Sequence, residues 1–354
     1  MEIYQKIDAL HLNFGCSIHE YEGGAGLPIS YSDRLTEEIN LLLNGCGLFD
    51  LKSCWLISLK GADAGLFLQG MVTSDVLSQK IGEVQPSLIC SNKGKIKHHL
   101  EIIRSYENEW IVSCDPGEGR AVGTIFDNYH VREDFKLNLL NSGEMLRVDM
   151  LGPQVENSLT KLGYAGENHV WKYEGKTVLS VKFDLGKLPR FINLISKTVF
   201  QKIFEQILEQ ENVGLTGLEA FDEIRVLEGI PRSGEDYTEK NFPQEAGLGD
   251  HISFDKGCYI GQEPHARMYH RGHPNWLSVW LNFAEKINLR SGAELFCEGQ
   301  QIGSISSTGS FSEDGICRGI AMIRHETAKG NKRLSLTIDG PPVIEFDALP
   351  NTIS

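Results

Sequence analysis

The sequence predicts an α+β protein of more than one domain, on three observations. Its 354 residues exceed what one hydrophobic core usually organises. Helical and strand periodicities alternate up to Pro274. Beyond it only short alternating segments broken by glycine follow, the pattern of antiparallel strands. Apolar residues make up 41% of the chain, enough for packed interiors.

In order, Asp33 is placed to cap a helix through Leu35, Ile39 and Leu42 that ends at Gly45. A strand from Cys54 to Leu59 precedes a short helix from Asp63 through Leu66 to Gln69. Pro86 to Cys90, a turn at Asn92-Lys93-Gly94 and Ile96 to Ile103 read as a hairpin. Its second strand alternates Ile96, His98, Leu100 and Ile102 with Lys97, His99, Glu101 and Ile103, so His98 and His99 point to opposite faces. Trp110 to Ser113 is a further strand, and Asp115-Pro116 has the residues that open a helix. Strands at Leu137 to Leu140 and Leu146 to Met150 lead to a helix closed by Gly163, and a hairpin turns at Gly175. A strand from Phe191 to Ile195 and a helix from Val199 to Leu208 follow. Thr216 and Glu219 have the spacing of a capping box, and Leu218, Phe221, Ile224 and Leu227 form one apolar helix face. The segments Trp276 to Phe283, Ala293 to Cys297, Gln301 to Ser306, Ile316 to Ile323, Leu334 to Ile338 and Val343 to Phe346 predict a small antiparallel β-barrel.

Composition excludes several classes of function. Lys plus Arg number 34 against 48 Asp plus Glu, a net charge of -14, so the average surface repels nucleic acid and anionic membranes. The eight cysteines contain no Cys-x-x-Cys pair, which removes a zinc ribbon or a ferredoxin-type cluster site built from local sequence. Scattered thiols in a long chain suit a reducing compartment. The first residues lack the unbroken apolar core of a signal peptide, and no run reaches the roughly 18 apolar residues of a membrane span. The expectation is a soluble, cytoplasmic protein. No Gly-x-Ser-x-Gly elbow and no P-loop occurs.

The most reactive stretch is Asp255 to Arg271, which gathers one thiol, Lys256, two imidazoles, two carboxylates and two guanidinium groups, with Gly257 and Gly261 letting the backbone approach a ligand. Cys258 is the cysteine whose neighbours can hold a thiolate: Lys256 is two residues away, and His265, Arg267 and His270 follow. It therefore reads as a nucleophile or a soft metal ligand, against the plainer reading of a small packed cysteine. Cys258, His265, His270 and His273 fit no common zinc spacing, and Arg267 and Arg271 would repel a dication. The same arginines suit a carboxylate, which a guanidinium grips in bidentate fashion.

Lys256-Gly-Cys-Tyr-Ile-Gly-Gln-Glu263, with Arg267 four residues on, resembles the signature of the YgfZ family of folate-binding proteins that act in iron-sulfur cluster assembly or repair, relatives of the glycine cleavage T-protein. Gly47-Leu-Phe-Asp50, Gly61-Ala-Asp-Ala64, Phe67-Leu-Gln69 and Thr73-Ser-Asp-Val76 resemble the opening of that superfamily, and Gly217 to Pro231 resembles its arginine-bearing helix. The resemblance covers nearly the whole chain. It implies a multi-domain T-protein-like ring of two interleaved α+β domains, residues 1–140 and 141–273, with a C-terminal antiparallel β-barrel over 274–354.

The same resemblance implies tetrahydrofolate or a one-carbon derivative as ligand and iron-sulfur proteins as clients, tRNA-modifying enzymes among them, with no direct nucleic acid and no membrane. Cys258 is then the functional thiol and Lys256 its activating cation. Arg225, Tyr259, Gln262, Glu263, Arg267 and His98 are then cofactor-binding residues, Gln262 and Glu263 as polar positioning groups and Arg225 and Arg267 as folate contacts. The pattern departs from the aminomethyltransferases at two points. Where they carry two aspartates after a glycine-rich turn, this chain has His98 and His99, and where they carry a pterin-holding glutamate it offers Asn193. A histidine can act as a base near neutral pH but supplies no standing negative charge. Folate-dependent aminomethyl transfer and a non-catalytic folate sensor or scaffold are the alternatives. A thiol at position 258 is not needed by either.

Overall fold

The computed structural model describes residues 2–21, 25–140, 144–166, 169–284, 287, 289–313, 315–328 and 333–349. The chain is α+β, with four sheets among the described residues and helices between them. It divides into two compact units. One comprises residues 1–69, 76–86 and 100–221. The other comprises 70–75, 87–99 and 222–354.

The first unit is built on a six-stranded sheet whose strands lie in the order Val170–Tyr173, Lys176–Lys182, Arg190–Ser196, Met145–Leu151, Cys46–Asp50 and Val213–Thr216. All its pairs are antiparallel except the last. The helix Lys197–Leu208 lays Val199, Phe200, Ile203, Phe204 and Ile207 into the core beside that sheet, the i, i+1, i+4, i+5, i+8 stripe of an amphipathic helix. A second sheet runs Val84–Cys90, Ile96–Tyr106, Glu109–Cys114, Leu56–Lys60 and Lys136–Leu139, and the division between the units falls within its first two strands.

This unit buries charge as well as apolar surface. Lys52, fully enclosed, pairs with Asp50 at 2.5 Å and Asp8 at 2.8 Å, and Asp50 also meets His11 at 2.9 Å. Arg147 and Arg190 share Glu101 and Asp149 at 2.5 to 3.4 Å. Removing one member of such a group leaves an uncompensated buried charge.

The second unit carries the C-terminal sheet, ordered Glu294–Cys297, Gln300–Glu313, Ile316–Arg324, Trp276–Ala284 and Glu345–Ala348, antiparallel throughout. It is not the closed barrel that the alternating segments predict. Among the described residues only the isolated bridges Phe296 to Ser335 and Leu334 to Ile344 stand where two further ladders would complete closure.

Two local expectations are also corrected. Asp33 takes a positive φ of 56° in a turn, and the helix Leu35–Asn44 begins after Arg34, so Asp33 is not its cap. The helix expected from Asp115-Pro116 starts later, at Gly119. The glycine-rich stretch around Cys258 leads directly into a helix, Gln262–Arg271, because Pro264 lies in the first turn, where no backbone N–H is needed. Among the described residues no helix is long and apolar enough to cross a membrane.

Candidate functional site

Every residue of the Lys256 to Arg267 stretch lies in the second unit, as do Arg225 and His98. Cys258 stands exposed between two buried anchors, Lys256 and Tyr259. It is the exposed cysteine of the eight; the other seven are buried. Burial pushes the thiols of Cys46 and Cys90 up to about 12, so they are inert near neutral pH.

The anchors have defined partners. Lys256 donates from Nζ to the carbonyl oxygens of Val72 and Ser74, each at 2.7 Å, with the Tyr259 ring 5.0 Å from the ammonium. Burial pulls the lysine down to about 8, with Asp75 opposing that shift. The hydrogen bonds thus run to the Gly70–Asp75 segment. The hydroxyl of Tyr259 lies 3.0 Å from Nδ1 of His265, whose Nε2 is 2.7 Å from the carbonyl oxygen of Gly94. A carbonyl only accepts, so Nε2 carries the proton and Nδ1 accepts from Tyr259. Burial holds His265 below its ordinary range, and the ring is neutral.

Glycines set the close approach. Gly261 adopts φ +87°, and a Cβ there would sit 2.4 Å from the carbonyl oxygen of Ser91. The loop is thereby laid on the turn that leads into the strand of His98 and His99. Both histidines are half-buried. The His99 ring meets that of His251 edge-on at 5.5 Å, and His251 Nδ1 lies 3.6 Å from Asp250. Burial pushes the Asp250 carboxyl up to about 6 against the pull of neighbouring backbone N–H groups and His99.

The helix Gln262–Arg271 buries His265 and exposes Glu263, Arg267, Tyr269, His270 and Arg271, while Gln262 is half-buried. Tyr269 stacks on Phe254 at 4.1 Å. Arg267 is exposed to solvent. Arg225 is differently placed. It is 3% exposed and donates to Asp222, Asp236, the Ile230 carbonyl and Ser307 at 2.5 to 3.1 Å. A ligand carboxylate would have to compete with two carboxylates already in place.

Asn193 belongs to the first unit, on the strand Arg190–Ser196. Its amide donates to Val148 and Phe191 carbonyls and its oxygen accepts from Ser180. A pterin contact there would have to break one of these bonds. Sequence reasoning missed His265 as the tie between helix and turn. It missed the Lys256 contacts too, because their partners are 182 and 184 positions away. The signal for His265 was present: it falls on the side of the helix opposite Arg267 and Arg271.

Comparison with known proteins places these features on a recognised scaffold. Residues 8–174 match the GCVT N-terminal domain. The aminomethyltransferase of Desulfitobacterium hafniense strain Y51 is 28% identical, over 94% of this chain and 93% of its own. That of Caldanaerobacter subterraneus subsp. tengcongensis is 25% identical, over 97% of this chain and 91% of its own. The crystal structure of glycine cleavage system aminomethyltransferase T from Bartonella henselae superposes with a TM-score of 0.85, covering 98% of this chain and 97% of that one at 21% identity. The chain has the T-protein fold.

Proposed function

We propose that this protein binds tetrahydrofolate or a one-carbon derivative on a T-protein scaffold and uses Cys258 in iron-sulfur cluster assembly or repair, as the YgfZ family does. The observation that carries the reading is the exposed thiol of Cys258, presented between two buried anchors while the other seven cysteines are enclosed. His98 and His99, at the positions matched to the aminomethyltransferase aspartates, support it from the other side. One thiolate cannot hold a cluster alone, so a second subunit, glutathione or a client protein shares the ligation, or the thiol acts by exchange chemistry. Lys256 and Tyr259 fix the loop, and Arg267 faces a ligand carboxylate. The three-part domain plan, with boundaries at 140 and 273, is part of the same reading.

A second reading, folate-dependent aminomethyl transfer, is favoured by the names of the relatives, which match along nearly the whole chain. In it His98 or His99 takes the role of base. Titration with tetrahydrofolate and an assay of aminomethyl transfer from a carrier protein separate the two. Binding without transfer is the expected result. Transfer at the rate of a glycine cleavage T-protein favours the second reading, and failure to bind tetrahydrofolate removes both.

A further inference from the structure

The segment 70–75 is held by the Cys258 loop through an unusual set of contacts. Four of its carbonyl oxygens accept from residues 253–260. Gly70 accepts from the Ile260 N–H at 3.3 Å and Thr73 from the Ser253 N–H at 3.0 Å, while Val72 and Ser74 share the Lys256 ammonium. In return, the Thr73 hydroxyl donates to the His251 carbonyl at 2.7 Å. A buried ammonium normally sits against a carboxylate. This one has two neutral carbonyls as its hydrogen-bond acceptors, and it is the side chain through which the loop reaches two residues of the segment at once. A side chain at Gly257 would meet open space, so the backbone beside Cys258 is not packed on that side.

We propose that Lys256 is a positioning residue, which fixes the Cys258 loop by clamping the segment 70–75, and is not the cation that activates the thiol. The inference rests on Cys258 being the working group, because it assigns how that thiol is presented. Both Nζ hydrogen bonds are directed at the segment, so removing the charge loosens the clamp.

The test replaces the ammonium by an apolar side chain of similar length, Lys256→Met, in the full chain. Hydrogen exchange at the amides of residues 70–75 and 257–261 is expected to accelerate about tenfold or more, since local opening then costs two fewer bonds. The pH midpoint for alkylation of Cys258 by iodoacetamide is expected to match the wild type. Lys256→Gln, whose amide can still donate to a carbonyl, is expected to restore part of the protection, and it carries the same test should Lys256→Met fail to fold. Unchanged exchange in the variants overturns the proposal, as does an upward shift of the alkylation midpoint by about one unit or more, which marks an activating cation. Neither readout uses cluster or folate activity, so loss of function in Cys258→Ser and failure of the clamp are separate results.

Discussion

His265 donates its Nε2 proton to the carbonyl oxygen of Gly94 at 2.7 Å, across 171 positions of sequence. This bond joins the helix that follows Cys258 to the turn that leads into His98 and His99. In the neutral ring Nδ1 accepts from Tyr259. A buried histidine held below its ordinary range binds its proton more weakly in the folded state than in the unfolded chain. The unfolded state then binds more protons as pH falls below about 6.5, and stability is lost in that direction. Wild type is expected to lose thermal stability between pH 7.5 and 5.5 more steeply than His265→Gln, measured by melting at both values. Parallel losses in the two proteins would contradict this assignment.

Gly261→Ala should be among the most damaging small substitutions in this region. The left-handed backbone alone costs about 1–2 kcal/mol for a non-glycine residue. The added carbon also meets the Ser91 carbonyl at 2.4 Å, a backbone atom that cannot turn aside. Denaturant titration is expected to show a loss of about 2 kcal/mol or more, with faster exchange in the Cys258 loop. Wild-type stability would mean that the loop does not lie on this turn.

Arg225 offers a way to separate packing from ligand binding. Arg225→Ala leaves Asp236, fully buried, without its guanidinium. The expected cost is about 3–5 kcal/mol. Arg267→Ala, at an exposed position, is expected to leave stability within about 0.5 kcal/mol of wild type while weakening tetrahydrofolate binding measured by calorimetry. Equal affinity in Arg267→Ala would remove that residue from the ligand contacts.

Selective alkylation tests the presentation of the thiol. Iodoacetamide at pH 8 and native conditions is expected to label Cys258 at least about a hundredfold faster than any other cysteine, read by peptide mass spectrometry, because the other seven are enclosed, and burial raises the thiols of Cys46 and Cys90 to about 12. Uniform slow labelling of all eight would leave the chemical role without its reactive group.

The features read most directly from sequence were those encoded by local pattern. The alternation from Ile96 to Ile103 gave the strand of His98 and His99, and the apolar face of Leu218 to Leu227 gave its helix. The signature stretch stood out as the candidate site because its residue types are concentrated in one place. What escaped depended on partners far away in sequence. Lys256 reads as an activating cation when only Cys258 is near it in the chain, and as a tether once Val72 and Ser74 are beside it. Arg225 reads as a folate contact from the resemblance, and the structure encloses it among Asp222, Asp236 and Ser307. The barrel was over-read for a related reason: alternation marks strands but does not say whether the last ladder closes.

The most direct test of the central claim is the activity of several iron-sulfur enzymes in cells lacking this protein, complemented with wild type or with Cys258→Ser. The account predicts that deletion lowers those activities and that wild type alone restores them. Full rescue by Cys258→Ser, or no effect of deletion on any of the enzymes, would contradict it and turn attention to one-carbon transfer with His98 or His99 as base.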